Sequence, residues 1–195
     1  DTMRAMNAKI LLEFLPADIA GLSPLAHALE GCRPSHLFIC HGTTARRARR
    51  EGLKAPYEAV DLGLTRLLLE AAAAVSPPPR VVYLSAIGAS PRARGAYLRN
   101  RWLAEEAVRS SGLPFTICRA PLLGGPDRRE PRPMETLART VADPTLAVLG
   151  AVGFTKLRDR LSSMNAAEAA EGLVRSGFHY MTINRVVQSD ELRRV

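Results

Sequence analysis

The sequence has few aromatic residues, few cysteines and no long hydrophobic run. Only 5% of its 195 residues are aromatic, so leucine, valine and alanine must fill most of a core. The sequence has three cysteines, Cys32, Cys40 and Cys118, and no C-x-x-C motif. The odd number and the spacing argue against a disulfide framework or a zinc site. No apolar run approaches the roughly 20 residues of a membrane-spanning helix, and no secretory signal is visible. We therefore expect reduced thiols in an intracellular compartment.

The composition is that of a folded protein with an excess of positive charge. Hydrophobic residues make up 47% and charged residues 24%, which excludes disorder and collagen-like repeats. The length predicts one domain with a sizeable core. Twenty-seven Lys and Arg against 19 Asp and Glu give a net charge of +8, which suits an anionic partner. A nucleic-acid partner rests on this charge alone, because no basic motif is interleaved with aromatic residues.

Short apolar runs alternate with segments of helical periodicity. The predicted strands are Lys9–Leu15, Leu37–Cys40, Val81–Leu84, Phe115–Cys118 and, late in the chain, Met181–Val187. The predicted helices are Ser23–Glu30, Tyr57–Val75, Tyr97–Ser111 and Asn165–Arg175, and Ser189 is expected to cap a last short helix. This alternation predicts an α/β domain with a mainly parallel sheet.

The loops that follow three of these strands are candidate ligand-binding segments. They are His41–Gly52, Ser85–Ala96 and Arg119–Pro133, and all are rich in Gly, Ser, Thr and Arg. In open parallel sheets the ligand lies at the carboxyl ends of the strands, where these loops would meet. Their composition indicates an anionic ligand.

Three stretches resemble the atypical short-chain dehydrogenases/reductases, and among them the Tat-interacting-protein oxidoreductases. The stretches are HGTTARRARREG from His41, LSAIGASPRARGAYLRNRWLAEEAV from Leu84 and ICRAPLLGGPDRREPRPME from Ile117. Each follows its own predicted strand, and the similarity spans about Lys9 to Glu135. The resemblance implies a Rossmann-like, doubly wound parallel sheet.

The resemblance implies a catalytic group of three residues. Tyr97 matches the family's catalytic tyrosine, and Ser85, twelve positions earlier, matches its catalytic serine. The lysine expected four residues after the tyrosine is replaced by Arg101. Arginine keeps the positive charge, but its planar fork does not reproduce the point charge of an ammonium group.

The resemblance also implies NADP or NAD as the cofactor, if one is bound. The matching positions are Asp18, His41, Gly42, Thr43, Thr44 and Arg119. The two threonine hydroxyls can equally be ordinary turn-forming groups.

The family's glycine-rich turn after the first strand is absent from these residues. We therefore expect a single domain over residues 1–195 that lacks the first strand–helix–strand unit, with a smaller C-terminal part at 134–195. Without that unit, Leu37–Cys40 should expose an unpaired edge. An upstream segment, a neighbouring subunit or direct pairing with Lys9–Leu15 would remedy this.

Two functions follow from these departures. The first is a catalytically degenerate, noncatalytic accessory or scaffold subunit of a larger assembly, as in the reductase-like accessory subunit of respiratory complex I, to which the chain bears general similarity. The alternative is an NADPH-dependent oxidoreductase acting on a small carbonyl substrate. For the first function we expect partner protein subunits. The basic, arginine-rich character of the chain and its non-Met start favour a mitochondrial over a cytoplasmic location.

Overall fold

The computed structural model of the chain describes residues 22–43, 52, 54–55, 57–121, 123–124, 147, 151 and 155–194. The predicted strand Lys9–Leu15, the candidate residues Asp18 and Thr44, and the expected boundary at residue 134 lie outside these residues.

The described elements are short strands alternating with helices. The strands are β1 (His36–Ile39), β2 (Arg80–Ala86), β3 (Phe115–Ala120), β4 (Leu123–Gly124), β5 (Met164–Asn165) and β6 (Arg185–Gln188). The α-helices are α1 (Leu22–Cys32), α2 (Leu64–Ala73), α3 (Ala96–Ser110), α4 (Thr155–Leu161), α5 (Ala166–Phe178) and α6 (Ser189–Leu192). A π-helix, Tyr57–Gly63, leads directly into α2, and a 3₁₀ turn, Tyr180–Thr182, follows α5.

The four longer strands form one parallel sheet in the order β1-β2-β3-β6. β2 is paired on both sides, with Val82 opposite Phe38 of β1 and Thr116 of β3. β4 and β5 form a separate two-stranded parallel pair. The predicted α/β class with a Rossmann-like parallel sheet is confirmed.

Helices cover both faces of the sheet, and the alternation of side chains along each strand divides the core. Val81, Tyr83 and Ile117 pack with α1, α2 and α3 on one face. Val82 and Cys118 pack with α5 and α6 on the other. Because both faces are covered, the centres of β2 and β3 are mostly apolar, with no regular alternation of polar residues, as is usual for parallel strands.

The helix predicted over Tyr57–Val75 is correct in position but not in kind. Its first seven residues, Tyr57–Gly63, form a π-helix, and the α-helical part begins only at Leu64. The wider turns contain the buried Asp61, whose carboxylate pairs with a residue of α3. Such π-helical turns recur where a helix is adapted to a local interaction.

The late strand predicted over Met181–Val187 is wrong in its first half. Asn184 adopts a left-handed conformation with φ 56°, and its side-chain oxygen accepts a hydrogen bond from the Phe115 amide. This turn delays the strand to Arg185. Ser189 was expected to cap a last helix and is instead the first residue of α6, with Gln188 in the capping position.

The helix predicted at Asn165 is confirmed, and its start has a clear local cause. The Asn165 side chain accepts from the Glu168 amide while the Glu168 carboxylate accepts from the Asn165 amide, which makes a reciprocal capping box. None of the helices in the described residues is both long and apolar enough to cross a membrane.

Candidate functional site

The predicted site residues that the structure describes gather at the carboxyl ends of β1, β2 and β3. His41–Thr43 follow β1, while Ser85 and Arg119 face each other as register partners on β2 and β3. Tyr97 and Arg101 come from the first two turns of α3, which packs against β2. The parallel sheet thus brings together residues up to 78 positions apart in the sequence.

Arg101 is buried at the centre of this group, with 6% of its surface exposed. Its Nη1 donates to the Tyr83 hydroxyl at 3.1 Å and to the Leu84 carbonyl oxygen at 3.0 Å. Its Nη2 donates to the His41 carbonyl oxygen at 3.2 Å and lies 3.1 Å from Oδ1 of Asp61. The guanidinium therefore fastens α3 to β2, to the loop after β1 and to the π-helix.

Asp61 is the partner that sequence reasoning missed. It is fully buried, and its other oxygen accepts from the Thr43 amide at 3.4 Å. Burial raises the pKa of the Asp61 carboxyl, and the Arg101 charge opposes that rise. Burial alone would lower the pKa of Arg101, but Tyr83, Tyr97 and Asp61 together raise it, so this residue remains a cation. The sequence offered one sign of its burial: Asp61 lies among the apolar residues that form the predicted buried face of the helix Tyr57–Val75.

The side chain of His41 connects the loop after β1 to Thr65 of α2. Thr65 donates its hydroxyl proton to the Asp61 carbonyl oxygen at 2.7 Å, so the same hydroxyl accepts from His41 Nε2 at 3.1 Å. Burial, with a smaller contribution from Arg101, lowers the pKa of His41 to about 4. His41 is therefore neutral at physiological pH. At Gly42, an added Cβ would collide with Nη2 of Arg101, so this close approach requires glycine.

Ser85 and Arg119 are both bound to Glu105, a fully buried carboxylate of α3. The Ser85 hydroxyl donates to Oε1 at 2.6 Å, and Arg119 donates to both oxygens, at 2.8 and 2.7 Å. Arg109 adds a fourth donor at 2.9 Å. Because the single hydroxyl hydrogen of Ser85 is engaged in the bond to Glu105, Ser85 can accept a hydrogen bond from a ligand in this arrangement but not donate one. Sequence reasoning also missed Glu105, which lies four residues after Arg101 on the same helix.

Tyr97 is more exposed to solvent than Arg101 and Ser85. It is 36% exposed, and its ring lies 5.6 Å from the Tyr57 ring and 5.4 Å from the Arg101 guanidinium carbon. Its hydroxyl makes no hydrogen bond with any residue that the structure describes. A phenol free to donate or accept a proton thus stands beside a fixed cation.

Three further polar atoms are buried here without a hydrogen bond among the described residues: Thr43 Oγ1, Arg101 Nε and Asp61 Oδ1, of which Asp61 Oδ1 has its ion pair with Arg101. Together with the free Tyr97 hydroxyl they fit the hydroxyl-rich nicotinamide ribose of a dinucleotide, because such a ligand needs both donors and acceptors. His41 and Gly42 directly precede Thr43. Four of the six predicted cofactor-binding residues therefore lie at the carboxyl edge of the sheet: His41, Gly42, Thr43 and Arg119. The cofactor roles themselves stay predictions.

Other reactive side chains at this edge are poorly suited to chemistry. Burial raises the pKa of Cys118 to about 12, so this thiol is not a ready nucleophile at neutral pH. Within the described ranges, no cluster of three or more His, Cys, Asp or Glu side chains could hold a metal ion.

A scan against protein-family models finds no match, and a search of curated proteins finds no similar sequence. Solved structures do share the fold. A short-chain dehydrogenase/reductase superfamily protein from Agrobacterium tumefaciens with bound NAD matches 84% of this chain at a TM-score of 0.52 and 15% identity. The chain has the fold of a short-chain dehydrogenase/reductase.

Two sugar-nucleotide epimerases share that fold with a TM-score of 0.58. One is the UDP-glucuronic acid 4-epimerase from Bacillus cereus in complex with UDP-glucuronic acid and NAD, 14% identical over 83% of this chain. The other is the UDP-glucose 4-epimerase from Thermus thermophilus in complex with NAD, 16% identical over 89%. The chain spans 61%, 55% and 64% of the length of these three proteins, respectively.

Proposed function

We propose that this chain carries the proton-transfer and nicotinamide-side part of an NAD(P)-dependent oxidoreductase of the short-chain dehydrogenase/reductase type. The observation that carries the proposal is the partly exposed Tyr97, whose ring centre lies 5.4 Å from the guanidinium carbon of the buried Arg101 and whose hydroxyl has no hydrogen-bond partner among the described residues. The bound NAD in solved structures of the same fold supports the choice of cofactor.

Tyr97 would move the proton at its hydroxyl oxygen, and Arg101 would stabilise the negative charge that develops there. A cation near a developing charge in a water-poor site contributes more than it would in water. Arg101 supplies this charge from a fixed position, because its terminal N–H groups are already occupied by Asp61 and by neighbouring oxygens. When bound, the nicotinamide supplies or accepts the hydride.

Thr43 and Tyr97 would hold the ribose in this proposal, with Arg101 Nε as an additional donor. Ser85 would accept a hydrogen bond from the substrate rather than donate one, because its hydroxyl hydrogen is bonded to Glu105. The resemblance to the Tat-interacting-protein branch favours a small carbonyl or alcohol as substrate. The glycine-rich turn that would hold a pyrophosphate is not among these 195 residues.

The test is a titration with the two halves of the cofactor, followed by NMR on the full chain. Reduced nicotinamide mononucleotide should shift the resonances of Thr43 and Tyr97, and AMP at the same concentration should not. Tyr97→Phe should weaken this binding, while Tyr180→Phe, a change at a 73% exposed tyrosine in the 3₁₀ turn, serves as the matched control. Binding of AMP alone, or of neither half, would contradict the proposal.

A second candidate function is the noncatalytic accessory subunit. It is favoured by the hydrogen bonds that already occupy the site: Arg101 has its terminal N–H groups bound, and the Ser85 hydroxyl donates to Glu105. Arg101→Lys distinguishes the two readings. A working site should become more active when a lysine replaces the arginine, whereas a degenerate site should remain inactive. Partner subunits and a mitochondrial location belong to this second candidate and stay predictions.

A further inference from the structure

The loops that precede the four strands of the parallel sheet form one surface, the amino-end face. Backbone hydrogen bonds join these loops in a row, from amide to carbonyl oxygen: Arg80 to Ser35, Val81 to Pro114 and Asn184 to Phe115. The candidate site with Tyr97 and Arg101 lies at the opposite ends of the same strands. The amino-end face is therefore separate from the proposed proton-transfer site.

Exposed apolar side chains are concentrated on this face. Eight large hydrophobic side chains are exposed among the described residues, and four of them fall within six consecutive positions. These four are Phe178 (42% exposed), Tyr180 (73%), Met181 (55%) and Ile183 (43%). Single exposed apolar residues are ordinary on a protein surface, whereas a contiguous group of them marks an interaction site.

The turn that presents these side chains is held from beneath. Thr182, in its middle, is 5% exposed, and its hydroxyl accepts from Nη2 of Arg80 at 2.8 Å and lies 2.6 Å from the Ser176 carbonyl oxygen. Nη1 of Arg80 donates to the His179 carbonyl oxygen at 3.1 Å. The apolar side chains on either side of Thr182 therefore project into solvent from a fixed backbone. A contact made through them costs little ordering entropy.

The loops of the amino-end face contain no carboxylate. They comprise residues 31–36, 74–80, 111–115 and 177–185, which include three arginines, two histidines and no aspartate or glutamate. Two of the arginines, Arg33 and Arg185, are exposed, and Arg185 lies two positions after Ile183. The exposed apolar group is thus flanked by cations.

The helices that end at this face, α1, α2, α3 and α5, do not reverse its charge. In their last three residues the one carboxylate is Glu30 of α1, and Arg33 follows it three positions later. Arg109 and Arg175 lie in the last turns of α3 and α5, where a cation offsets the partial negative charge of the helix end. The face is apolar and cationic, so its partner should carry negative charge and an apolar interior.

This combination favours an anionic lipid surface over other partners. An isologous contact with a second copy would bring two carboxylate-free cationic patches together, which is repulsive. A single-stranded nucleic acid would use the aromatic rings and the arginines, but not the aliphatic Met181 and Ile183. Side chains that project from a turn suit insertion among lipid headgroups better than capture of a peptide, which needs a groove or a strand edge.

We propose that the amino-end face docks on an anionic lipid bilayer. Phe178, Tyr180, Met181 and Ile183 enter the headgroup region, and Arg33 and Arg185 contact the lipid phosphates. The net charge of +8 adds a long-range attraction to such a surface. Because the face is opposite the carboxyl ends of the strands, a docked chain keeps its candidate site towards water.

Co-sedimentation of the full chain with vesicles tests this docking. Vesicles of equal parts phosphatidylglycerol and phosphatidylcholine should bind the chain, and vesicles of phosphatidylcholine alone should bind it much less. Met181→Ser/Ile183→Ser should weaken binding by about tenfold, whereas Leu161→Ser, at a 43% exposed leucine of α4, should not.

A second pair of variants tests the contribution of charge. Arg33→Gln/Arg185→Gln should weaken binding to the anionic vesicles by about fivefold or more. Arg94→Gln/Arg99→Gln removes the same charge from exposed positions elsewhere and should have a smaller effect. Equal losses from the two pairs would show that net charge alone attracts the chain, and would overturn the proposal.

Methyl NMR of the wild-type chain decides the matter without any variant. With a headgroup-level spin-labelled lipid in the anionic vesicles, the Met181 methyl signal should broaden, while that of Met164, which is 2% exposed, should not. An unchanged Met181 signal, or equal binding to neutral and anionic vesicles, would overturn the proposal. So would self-association, or binding of an oligothymidylate, that Met181→Ser/Ile183→Ser abolishes in a chain that does not bind vesicles.

Discussion

Two buried guanidinium groups stand at opposite ends of β2, and they are stabilised in different ways. Arg80, at the amino end, is 8% exposed and donates only to neutral oxygens: the side chains of Thr116 and Thr182 and two carbonyls at the end of α5. Arg101, beside the carboxyl end, is paired with a buried carboxylate, Asp61. Burial lowers the pKa of Arg80, whereas the surroundings of Arg101 raise its pKa.

The different partners suggest that Arg80 has a structural role and that Arg101 lies next to the candidate proton-transfer residue, Tyr97. The partial negative charge at the carboxyl end of α5 is enough to accept Arg80, which joins α5 to β2. Arg101 is neutralised instead by Asp61, and its guanidinium carbon lies 5.4 Å from the centre of the partly exposed Tyr97 ring. We expect the two arginines to respond differently to the same substitution.

The largest effect is expected from Arg101→Met, because it leaves Asp61 buried without its counter-charge. Breaking a buried ion pair in this way costs about 3–5 kcal/mol in the free energy of unfolding, which urea denaturation measures. Arg99→Met, at an exposed position of the same helix, should stay within about 0.5 kcal/mol of the wild type.

The double variant Asp61→Asn/Arg101→Met sharpens this prediction. It should be less destabilised than the sum of the single variants by about 2 kcal/mol, since the cost arises from the unpaired charge. Strict additivity would show that the two side chains are not coupled.

A second expected effect concerns His41 and pH. Its pKa in the folded protein is about 4, below the 6.5 of an unperturbed histidine, so the unfolded chain binds the extra proton between these values. Stability from neutral His41 is complete above pH 6.5 and is lost as the pH falls towards 4. From pH 7.5 to 5 this loss should be about 2 kcal/mol. His41→Gln should reduce the pH dependence of unfolding, while His27→Gln, at an exposed site on α1, should not.

The smallest effect is expected from Arg80→Met, about 1–2 kcal/mol. This substitution leaves no buried charge unpaired, and the Thr182 hydroxyl lies 2.6 Å from the Ser176 carbonyl oxygen and 2.7 Å from that of His179, so it can still donate to one of the two carbonyls that Arg80 leaves. A loss equal to that of Arg101→Met in parallel urea titrations would contradict the distinction between the two cations.

Much of the sheet could be predicted from the sequence, because β1, β2 and β3 are short, mainly apolar runs with glycine or proline close to each end. The sequence also predicted that the loops after β1, β2 and β3 lie close together, because parallel strands bring their carboxyl ends to one edge of the sheet. What could not be predicted were the partners Asp61 and Glu105. Both are acidic residues in helices, where such residues are usually exposed, and only the folded packing shows that each is buried against an arginine.

The left-handed Asn184 was a second feature that periodicity could not predict. The apolar pattern from Met181 to Val187 is that of a strand, but the bond from the Phe115 amide to Asn184 holds a turn in its middle. Local propensity therefore yields to a contact across 69 residues.

The most direct test of the central claim, that Tyr97 transfers the proton, is the rate of carbonyl reduction with NADH or NADPH. Wild type, Tyr97→Phe and Tyr180→Phe would be compared over a panel of small aldehydes and ketones. We predict that Tyr97→Phe lowers the rate by about 10²–10⁴ and that Tyr180→Phe leaves it unchanged. Equal rates for wild type and Tyr97→Phe, or no reduction by the wild-type chain, would contradict the claim.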